Sequence, residues 1–394
     1  MRKYLPMAVI GMAIAAASSP LSALSASSND ITVTVSSGAG PVDGTQQNSD
    51  EFMWRQFVDL VSPSATTPSK VEFETWASDS DTFTSTPQWP APDARPKLHA
   101  SLLQALKSGH SLAATLDVPC AKPGNAAVAG FPTSGTPTPC VAEETKRNKP
   151  QFDYIVNNNL NTRAGLAKAF ANSAFSALVM PKESLSVKTD WVPVKTVLQW
   201  IPYTTEKFIR DNYYITTDNG TEYALVSMHV SSRQNPNWVW ASFEHFLNPG
   251  RCDSIGCSDS FGSTDPVVQP NRNAANKQYG ACRISTALAQ LMKEKNLSSV
   301  WRSYCLKGSQ VDYAASNGIP SALGNSVIEG VVGNGTISAS SCIACHAYAS
   351  FGKEGKPTSQ TTAMLPYNPT GEPIQNVLIG SKQYDFMWGV LLAP

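Results

Sequence analysis

The sequence predicts an α+β protein, in which helices and a small antiparallel sheet over residues 27–280 precede a mainly helical region over residues 281–394. Two changes of pattern support this class. Apolar residues recur at helical spacing in the first part, alternate with polar residues from about residue 184, and return to helical spacing near the carboxyl end. Helices and strands that are segregated in this way are typical of α+β rather than of alternating α/β proteins.

Amphipathic spacing between capping and stop signals predicts the helices of the first part. The segment 49–63 begins with Ser49 or Asp50 as the N-cap, carries apolar residues at three- and four-residue spacing, and ends at Pro63. Further amphipathic segments that predict helices span residues 95–109 and 160–175.

The strands are predicted where the apolar period changes to two. The segments 186–194, 213–232 and 237–245 alternate apolar and polar side chains, as half-buried antiparallel strands do. An Asp-Asn-Gly turn at 218–220 divides the middle segment into a hairpin. Helical spacing resumes at 283–299, which begins the predicted mainly helical region.

The first 26 residues predict a secretory signal peptide. The chain begins with two basic residues in MRK, continues with a short apolar run, and then offers small residues for cleavage. A transmembrane anchor is the alternative, but the apolar run is short for a bilayer. We therefore expect export to the periplasm and no membrane span after the signal is removed.

Composition excludes several classes of protein. The chain of 394 residues contains 42% hydrophobic and 15% charged residues, which indicates a folded, globular protein. Thirty basic residues balance thirty acidic ones, so the charge provides no surface for a polyanion, and nucleic acid is not an expected partner.

The eight cysteines of an exported chain are expected to pair unless another role claims them. Cys342 and Cys345 belong to the motif described below, which leaves six. Sequence alone does not decide how six cysteines connect. Pairing in sequence order closes the shortest loops, and this preferred arrangement joins residues 120 with 140, 252 with 257, and 282 with 305.

The segment SASSCIACHAYASFG, residues 338–352, carries the most informative motif, because Cys342, Cys345 and His346 form a Cys-x-x-Cys-His arrangement. Two thiols at this spacing lie on one helical turn, where each can add to one vinyl group of a haem while the histidine reaches the iron. Attachment outside the cytoplasm agrees with a secretory signal. The motif predicts one covalent haem c with His346 as the proximal iron ligand.

The motif has three alternative interpretations, a zinc site, a redox-active thiol pair and a structural disulfide. A structural zinc site needs a fourth ligand, usually from a second cysteine pair, and no second pair has the required spacing. A thioredoxin-like redox pair would follow a strand in a βαβ unit. A disulfide between two cysteines so close in sequence is strained and uncommon.

Several residues are candidates for the other side of the iron. Met364 lies in a turn-like setting next to Leu-Pro, and a thioether ligand is common in electron-transfer cytochromes c. His229 is a second candidate, and an open or water-bound site is a third possibility. If the iron site is open and catalytic, His229 or His245 is the expected general base, and Arg233 or Arg251 would stabilise charge.

Four blocks of the sequence resemble exported single-haem cytochrome-c-like proteins of Gram-negative bacteria: EFMWRQFVDLVSP, NPNWVWASFEH, SVWRSYCLKGSQ and SSCIACHAYA. The resemblance covers most of residues 50–394 and implies a short haem-binding segment at the end of a long chain. It assigns a role to Cys342, Cys345 and His346, and it implies haem and export rather than a particular activity. Similar chains often close with a Phe-Ser-Phe-like ending where this one reads DFMWGVL, so the resemblance does not support Met387 as a ligand.

Together these observations predict a signal peptide at 1–26, an α+β region of unknown role at 27–280, and a cytochrome-c-like haem region at 281–394. The expected function is that of a periplasmic single-haem c-type cytochrome, which exchanges electrons with a redox partner protein or a small-molecule donor or acceptor. Two alternatives remain, a haem enzyme of peroxidase-like or other small-molecule oxidoreductase type, and a gas-binding sensor with an open distal site.

Overall fold

The computed structural model describes residues 48–100, 141–174, 177–201, 204–271, 277–327, 329, 340–363 and 369–394. All of these residues belong to one compact unit. The predicted signal peptide, Cys120, Cys140 and Met364 lie outside the described residues.

The helices, numbered in chain order, are α1 Ser49–Leu60, α2 Asp79–Thr82, α3 Lys149–Asn157, α4 Arg163–Ala171, α5 Val194–Trp200, α6 Glu206–Asn212, α7 Thr286–Glu294, α8 Cys342–His346, α9 Ser359–Ala363 and α10 Gln375–Leu378. Short 3₁₀ helices span Glu72–Thr75, Ser299–Ser303 and Trp388–Leu392. In the part of the chain that the structure describes, no helix has both the length and the apolar character needed to cross a membrane.

The strands are β1 Ala77–Ser78, β2 His99–Ala100, β3 Ala142–Arg147, β4 Leu185–Pro193, β5 Ile215–Asp218, β6 Thr221–Ser232, β7 Val239–His245, β8 Cys257–Ser258, β9 Val267–Val268, β10 Tyr304–Gln310, β11 Ser350–Phe351 and β12 Lys382–Gln383. Eight of them form one sheet in the order β1-β3-β4-β6-β7-β10, with β2 on β3 and β5 on β6. Neighbouring strands of this central sheet are antiparallel. The predicted sheet is therefore antiparallel as expected, but with eight strands it is larger than the small sheet that the sequence predicted.

The prediction that residues 281–394 form a mainly helical, cytochrome-c-like region is wrong. This region contributes β10 to the central sheet, where it pairs with β7. From Cys342 onward, the α-helices of the described residues are only four or five residues long. The physical reason lies in the sequence YCLKGSQ of β10. Only Tyr304 and Leu306 alternate inward before a bulge at Leu306/Gly308, so the strand is too short and irregular to show a clear period of two.

Several predicted helix boundaries also change. Helix α1 ends at Leu60 rather than at Pro63, and its N-cap is Asn48. In the segment predicted as a helix at 95–109, His99 and Ala100 instead form β2 against β3, and residues from 101 onward lie outside the described residues. Here pairing with a neighbouring strand overrides the local helical pattern.

The hairpin at 218–220 is confirmed. Asp218 pairs with Thr221, and the two residues between them have positive φ, 46° at Asn219 and 75° at Gly220. Asparagine and glycine adopt this backbone region at low cost, which is why this dipeptide connects twisted strands so often.

The apolar face of the central sheet holds the main core. Phe57 of α1 stacks on Phe243 of β7 with ring centroids 4.4 Å apart, and Trp54 meets the same ring edge-on at 5.0 Å. Helix α7 adds Leu288 and Met292 to this cluster. The burial of these large side chains is the main force that fixes the sheet against its helices.

The opposite face of the central sheet is polar although much of it is buried. Lys188, His229 and Ser242 are successive neighbours in register across β4, β6 and β7, and alternation directs them away from the apolar core. The next row in register consists of Asp190, Ser227 and Glu244, all fully buried. This surface is called the polar face below.

Two of the three preferred disulfides are confirmed. Cys252 bonds to Cys257 and Cys282 bonds to Cys305, with Cα–Cα distances of 5.2 and 5.6 Å. The second disulfide fastens β10 to the segment that precedes α7. The third predicted pair, 120 with 140, lies outside the described residues.

Candidate functional site

The Cys-x-x-Cys-His motif forms its own short helix, α8, which the end of β10 holds in place. Ser341 is the N-cap, and its hydroxyl accepts a hydrogen bond from the backbone N–H of Ala344 at 3.3 Å. Gln310 of β10 donates to the same hydroxyl at 2.9 Å and accepts from the N–H of Ile343 at 3.1 Å. The edge of the central sheet thereby fixes the start of the motif helix.

His346 is oriented by a second set of contacts. Its Nδ1 lies 2.6 Å from the carbonyl oxygen of Phe386, so Nδ1 carries the proton and donates to that carbonyl. The imidazole packs against the ring of Trp240, with centroids 4.5 Å apart. Because Nδ1 is protonated, the lone pair of the neutral ring is on Nε2. A hydrogen bond of this kind is what fixes the tautomer of metal-binding histidines.

The carbonyl that receives this hydrogen bond belongs to a strained turn. Asp385 and Phe386 have positive φ values of 43° and 67°, which is uncommon for consecutive residues other than glycine. The turn is held by Asp385, which pairs with Arg233 at 3.0 Å and accepts from the N–H of Met180 at 2.6 Å. Arg233 therefore acts on the backbone beside His346 and does not offer a free charge.

The two thiols of the motif are not bonded to each other. Cys342 is buried, and its Sγ lies 3.6 Å from the carbonyl of Leu323, whereas Cys345 is partly exposed. Burial raises the pKa of Cys342 well above that of an ordinary thiol, and burial together with Glu329 raises the pKa of Cys345 to about 11. Both groups are consequently neutral thiols near pH 7.

The polar face brings His229 close to this motif. Burial is the main cause that lowers the pKa of His346 to about 4. Its hydrogen bond to Phe386 acts in the opposite direction, and Lys188 and His229 contribute to the lowering. Burial and the charge of Lys188 lower the pKa of His229 itself to about 3. Both imidazoles are therefore neutral at physiological pH. The Nε2 of His229 lies 2.7 Å from Asn325 Nδ2 and 3.7 Å from a carboxylate oxygen of Glu329.

A buried ion pair continues the polar face towards β10. Lys307 lies 3.2 Å from the carboxylate of Glu244, and both side chains are almost fully buried. The N–H of Ser326 and the amide of Asn248 also donate to Glu244, at 2.9 and 3.2 Å. Burial alone would raise the pKa of Glu244, but the charge of Lys307 and these hydrogen bonds together lower it. Both oxygens of the buried Glu244 carboxylate therefore accept hydrogen bonds.

Three other predicted site residues have different surroundings. His245 lies on the apolar face, stacked on Tyr213 at a centroid distance of 3.5 Å and hydrogen-bonded to the carbonyl of Asn212, so it does not meet the motif. The sulfur of Met387 accepts from Gln151 Nε2 at 3.0 Å, which agrees with a packing role. Arg251 lies beside the disulfides, within electrostatic range of Glu244 on the polar face. Met364 lies outside the described residues.

The residues of the motif fit a covalently attached haem. Such a group needs two thiols that are not in disulfides and an imidazole nitrogen free to bind iron. The thiols of Cys342 and Cys345 are unpaired, while the other cysteines in the described ranges form disulfides. Nε2 of His346 is left as an acceptor by the bond at Nδ1. Within those ranges, no group of three or more His, Cys, Asp or Glu side chains forms a metal-ion site.

Sequence reasoning missed the residues that position the motif. Gln310 lies in a strand that was not predicted, and Phe386 contributes only a backbone carbonyl, which no side-chain pattern reveals. Lys188 appears in the sequence as the outward-facing residue of an alternating strand. The alternation indicates that Lys188 lies on the face opposite the apolar core, but nothing in the sequence indicates that much of this face is buried.

Comparisons of the chain with protein-family models, curated proteins and solved structures find no match in any of the three. The functional conclusion therefore depends on the residues of the site.

The turn that holds the Phe386 carbonyl can be tested through its ion pair. Replacing Asp385 by Asn leaves Arg233 without its partner at a site where the side chains are only 12% and 6% exposed. We expect the free energy of unfolding, measured by denaturant titration, to fall by about 3 kcal/mol. The matched control is Asp211→Asn, in an ion pair with Lys207 whose side chains are 55% and 82% exposed, and it should cost less than about 1 kcal/mol. Equal losses in the two variants would contradict the structural role of Asp385.

Proposed function

We propose that the mature protein is an exported c-type cytochrome with one haem, attached through Cys342 and Cys345 and ligated by His346. The observation that carries this proposal is the state of the motif. Its thiols are unpaired, and the Nδ1 proton of its histidine is donated to Phe386, which leaves Nε2 as an iron ligand. Each thiol would add across one vinyl group of the porphyrin, its sulfur bonding to one carbon and its proton going to the other.

Electron transfer is the function that an attached haem most often serves. The bound haem would supply a one-electron iron couple. The chain holds the imidazole in one orientation between Trp240 and the Phe386 carbonyl, which limits reorganisation when the charge on the iron changes. The expected partner is a redox protein or a small-molecule donor or acceptor outside the cytoplasm.

Two further features support a location in the periplasm. The predicted signal peptide at 1–26 directs the chain to the export pathway. The disulfides at 252–257 and 282–305 are of a kind that persists in an oxidising compartment.

The attachment chemistry can be tested by the mass of the intact exported protein. In a host that attaches haem to secreted proteins, we expect the mature wild-type chain to carry the mass of one haem after denaturation. The double variant Cys342→Ala/Cys345→Ala should have its bare peptide mass, because no thiol remains at the motif. The control Cys252→Ala/Cys257→Ala also removes two cysteines, but they form a disulfide, so its covalent haem should be retained. A colourless wild-type protein at its peptide mass would contradict the proposal.

A second candidate, a haem-dependent oxidoreductase, is favoured by the polar face beside the motif. Ionisable side chains such as Lys188, His229 and Glu329 are unusual surroundings for a simple electron carrier. In addition, Oδ1 of Asp190 and Oγ of Ser242 are buried without a hydrogen-bond partner in the described part of the chain. Groups of this kind could receive a small polar substrate or relay protons.

Ligand binding separates the two candidates. For the electron carrier, spectra of the oxidised and reduced protein should be low-spin and unchanged by cyanide or carbon monoxide, because a protein ligand fills the sixth position. If that ligand is His229, the variant His229→Ala should bind carbon monoxide, whereas the control Ser231→Ala, two positions along the same strand, should not. If Met364 is the ligand, Met364→Ala should instead remove the weak far-red sulfur-to-iron band. A high-spin wild-type protein that binds cyanide would place the oxidoreductase first.

A further inference from the structure

A small cavity lies beside the two disulfides, in a part of the molecule that the motif does not use. Its volume is about 180 Å³, and Arg251, Tyr279 and Arg283 are among the residues that line it. Cysteines of both disulfides also line the cavity: Cys257 belongs to the first disulfide, and Cys282 and Cys305 form the second. The covalent bonds tie the surrounding segments together.

Arg251 is a buried cation that has no hydrogen bond or ion pair to a carboxylate among the described residues. Its side chain belongs to a residue only 6% exposed, and its Nε has no hydrogen-bond acceptor among the described residues. Its Nη1 lies 3.7 Å from the sulfur of Cys257, a weak acceptor, and its guanidinium carbon lies 5.8 Å from the centre of the Tyr279 ring. Burial lowers the pKa of Arg251, as expected for a guanidinium whose charge is poorly compensated. Buried charges in proteins are ordinarily paired, because an unpaired charge loses its hydration without compensation.

The acidic side chains of this neighbourhood are already bonded elsewhere. Glu244 pairs with Lys307 at 3.2 Å. Asp259 accepts hydrogen bonds from the indole of Trp54 and from backbone N–H groups, and Asp253 accepts from the hydroxyl of Tyr279. Asp265 also lines the cavity, but it is exposed, so water screens its charge.

The local sequence adds positive charge and no further acid. Residues 266–293 contain Arg272, Lys277, Arg283 and Lys293, and neither Asp nor Glu. Arg283 is exposed and lines the cavity together with the buried Arg251. The cavity thus combines a buried guanidinium with a second one that water can reach.

We propose that this cavity binds a small oxyanion, a carboxylate or phosphate group, through the guanidinium of Arg251 with Arg283 as a second contact. A guanidinium presents parallel N–H donors that match two oxygens of such a group. A volume of about 180 Å³ suits an anion of a few non-hydrogen atoms or the charged end of a larger molecule. The site does not include residues of the haem motif, so this proposal can be tested separately from the proposed cytochrome function.

The test uses the mature, oxidised protein, with sodium acetate and sodium phosphate as probes and sodium chloride at equal ionic strength as the reference. We expect acetate or phosphate to raise the thermal midpoint saturably above the chloride reference and to give a titratable heat of binding. The probe that binds distinguishes a carboxylate site from a phosphate site. The variant Arg251→Gln should bind at least about tenfold more weakly. The control Arg302→Gln, an exposed residue of the Ser299–Ser303 helix, should bind like the wild type.

The proposal is overturned if neither oxyanion binds the wild-type protein more tightly than chloride does, or if Arg251→Gln binds as tightly as the wild type. Should Arg251→Gln fail to fold, the exposed residue Arg283 provides the second variant. Weaker binding by Arg283→Gln would support the proposal, and unchanged binding would overturn it.

Discussion

The hydrogen bond from His346 Nδ1 to the carbonyl of Phe386 is the interaction on which the proposed function most depends. It sets the tautomer, and so decides which ring nitrogen is able to bind a metal. The bond also joins two segments distant in sequence, since the carbonyl lies 40 residues beyond the imidazole. The positive-φ turn that presents the carbonyl is held by the Arg233–Asp385 ion pair. Orientation of the imidazole is therefore a property of the whole fold rather than of the five-residue motif.

The central sheet explains how one fold provides both stability and a site. Its apolar face buries aromatic side chains against α1 and α7 in a large hydrophobic cluster that stabilises the fold. Its polar face is not required for this apolar packing, so it can carry groups such as Lys188, His229 and Glu244. Glu244 is fully buried, and the side chains of His229 and Lys188 are 15% and 27% exposed. Burial and mutual interaction therefore shift the pKa of each group from its ordinary value. Trp240 and Gln310 bring the motif helix to the edge of this face.

The features that could be predicted from the sequence are those formed by residues close together in the chain. The turn at Asn219-Gly220, the short-range disulfides and the Cys-x-x-Cys-His motif are defined by residues close together in the chain, and all were identified from it. Features that depend on contacts between distant residues were not identified from the sequence. Strand β10 is recognisable only through its pairing with β7, and the turn at Phe386 only through its contact with His346. The polar side chains of β4 alternate as solvent-facing residues would, and only the folded chain reveals that other segments cover them.

A crystal structure of the exported protein, purified from a haem-attaching host, tests the central claim most directly. The account predicts continuous electron density from the sulfurs of Cys342 and Cys345 into one porphyrin. It also predicts His346 Nε2 as an iron ligand and His346 Nδ1 within hydrogen-bond distance of the Phe386 carbonyl. A disulfide between Cys342 and Cys345, or an imidazole that coordinates no iron, would contradict it.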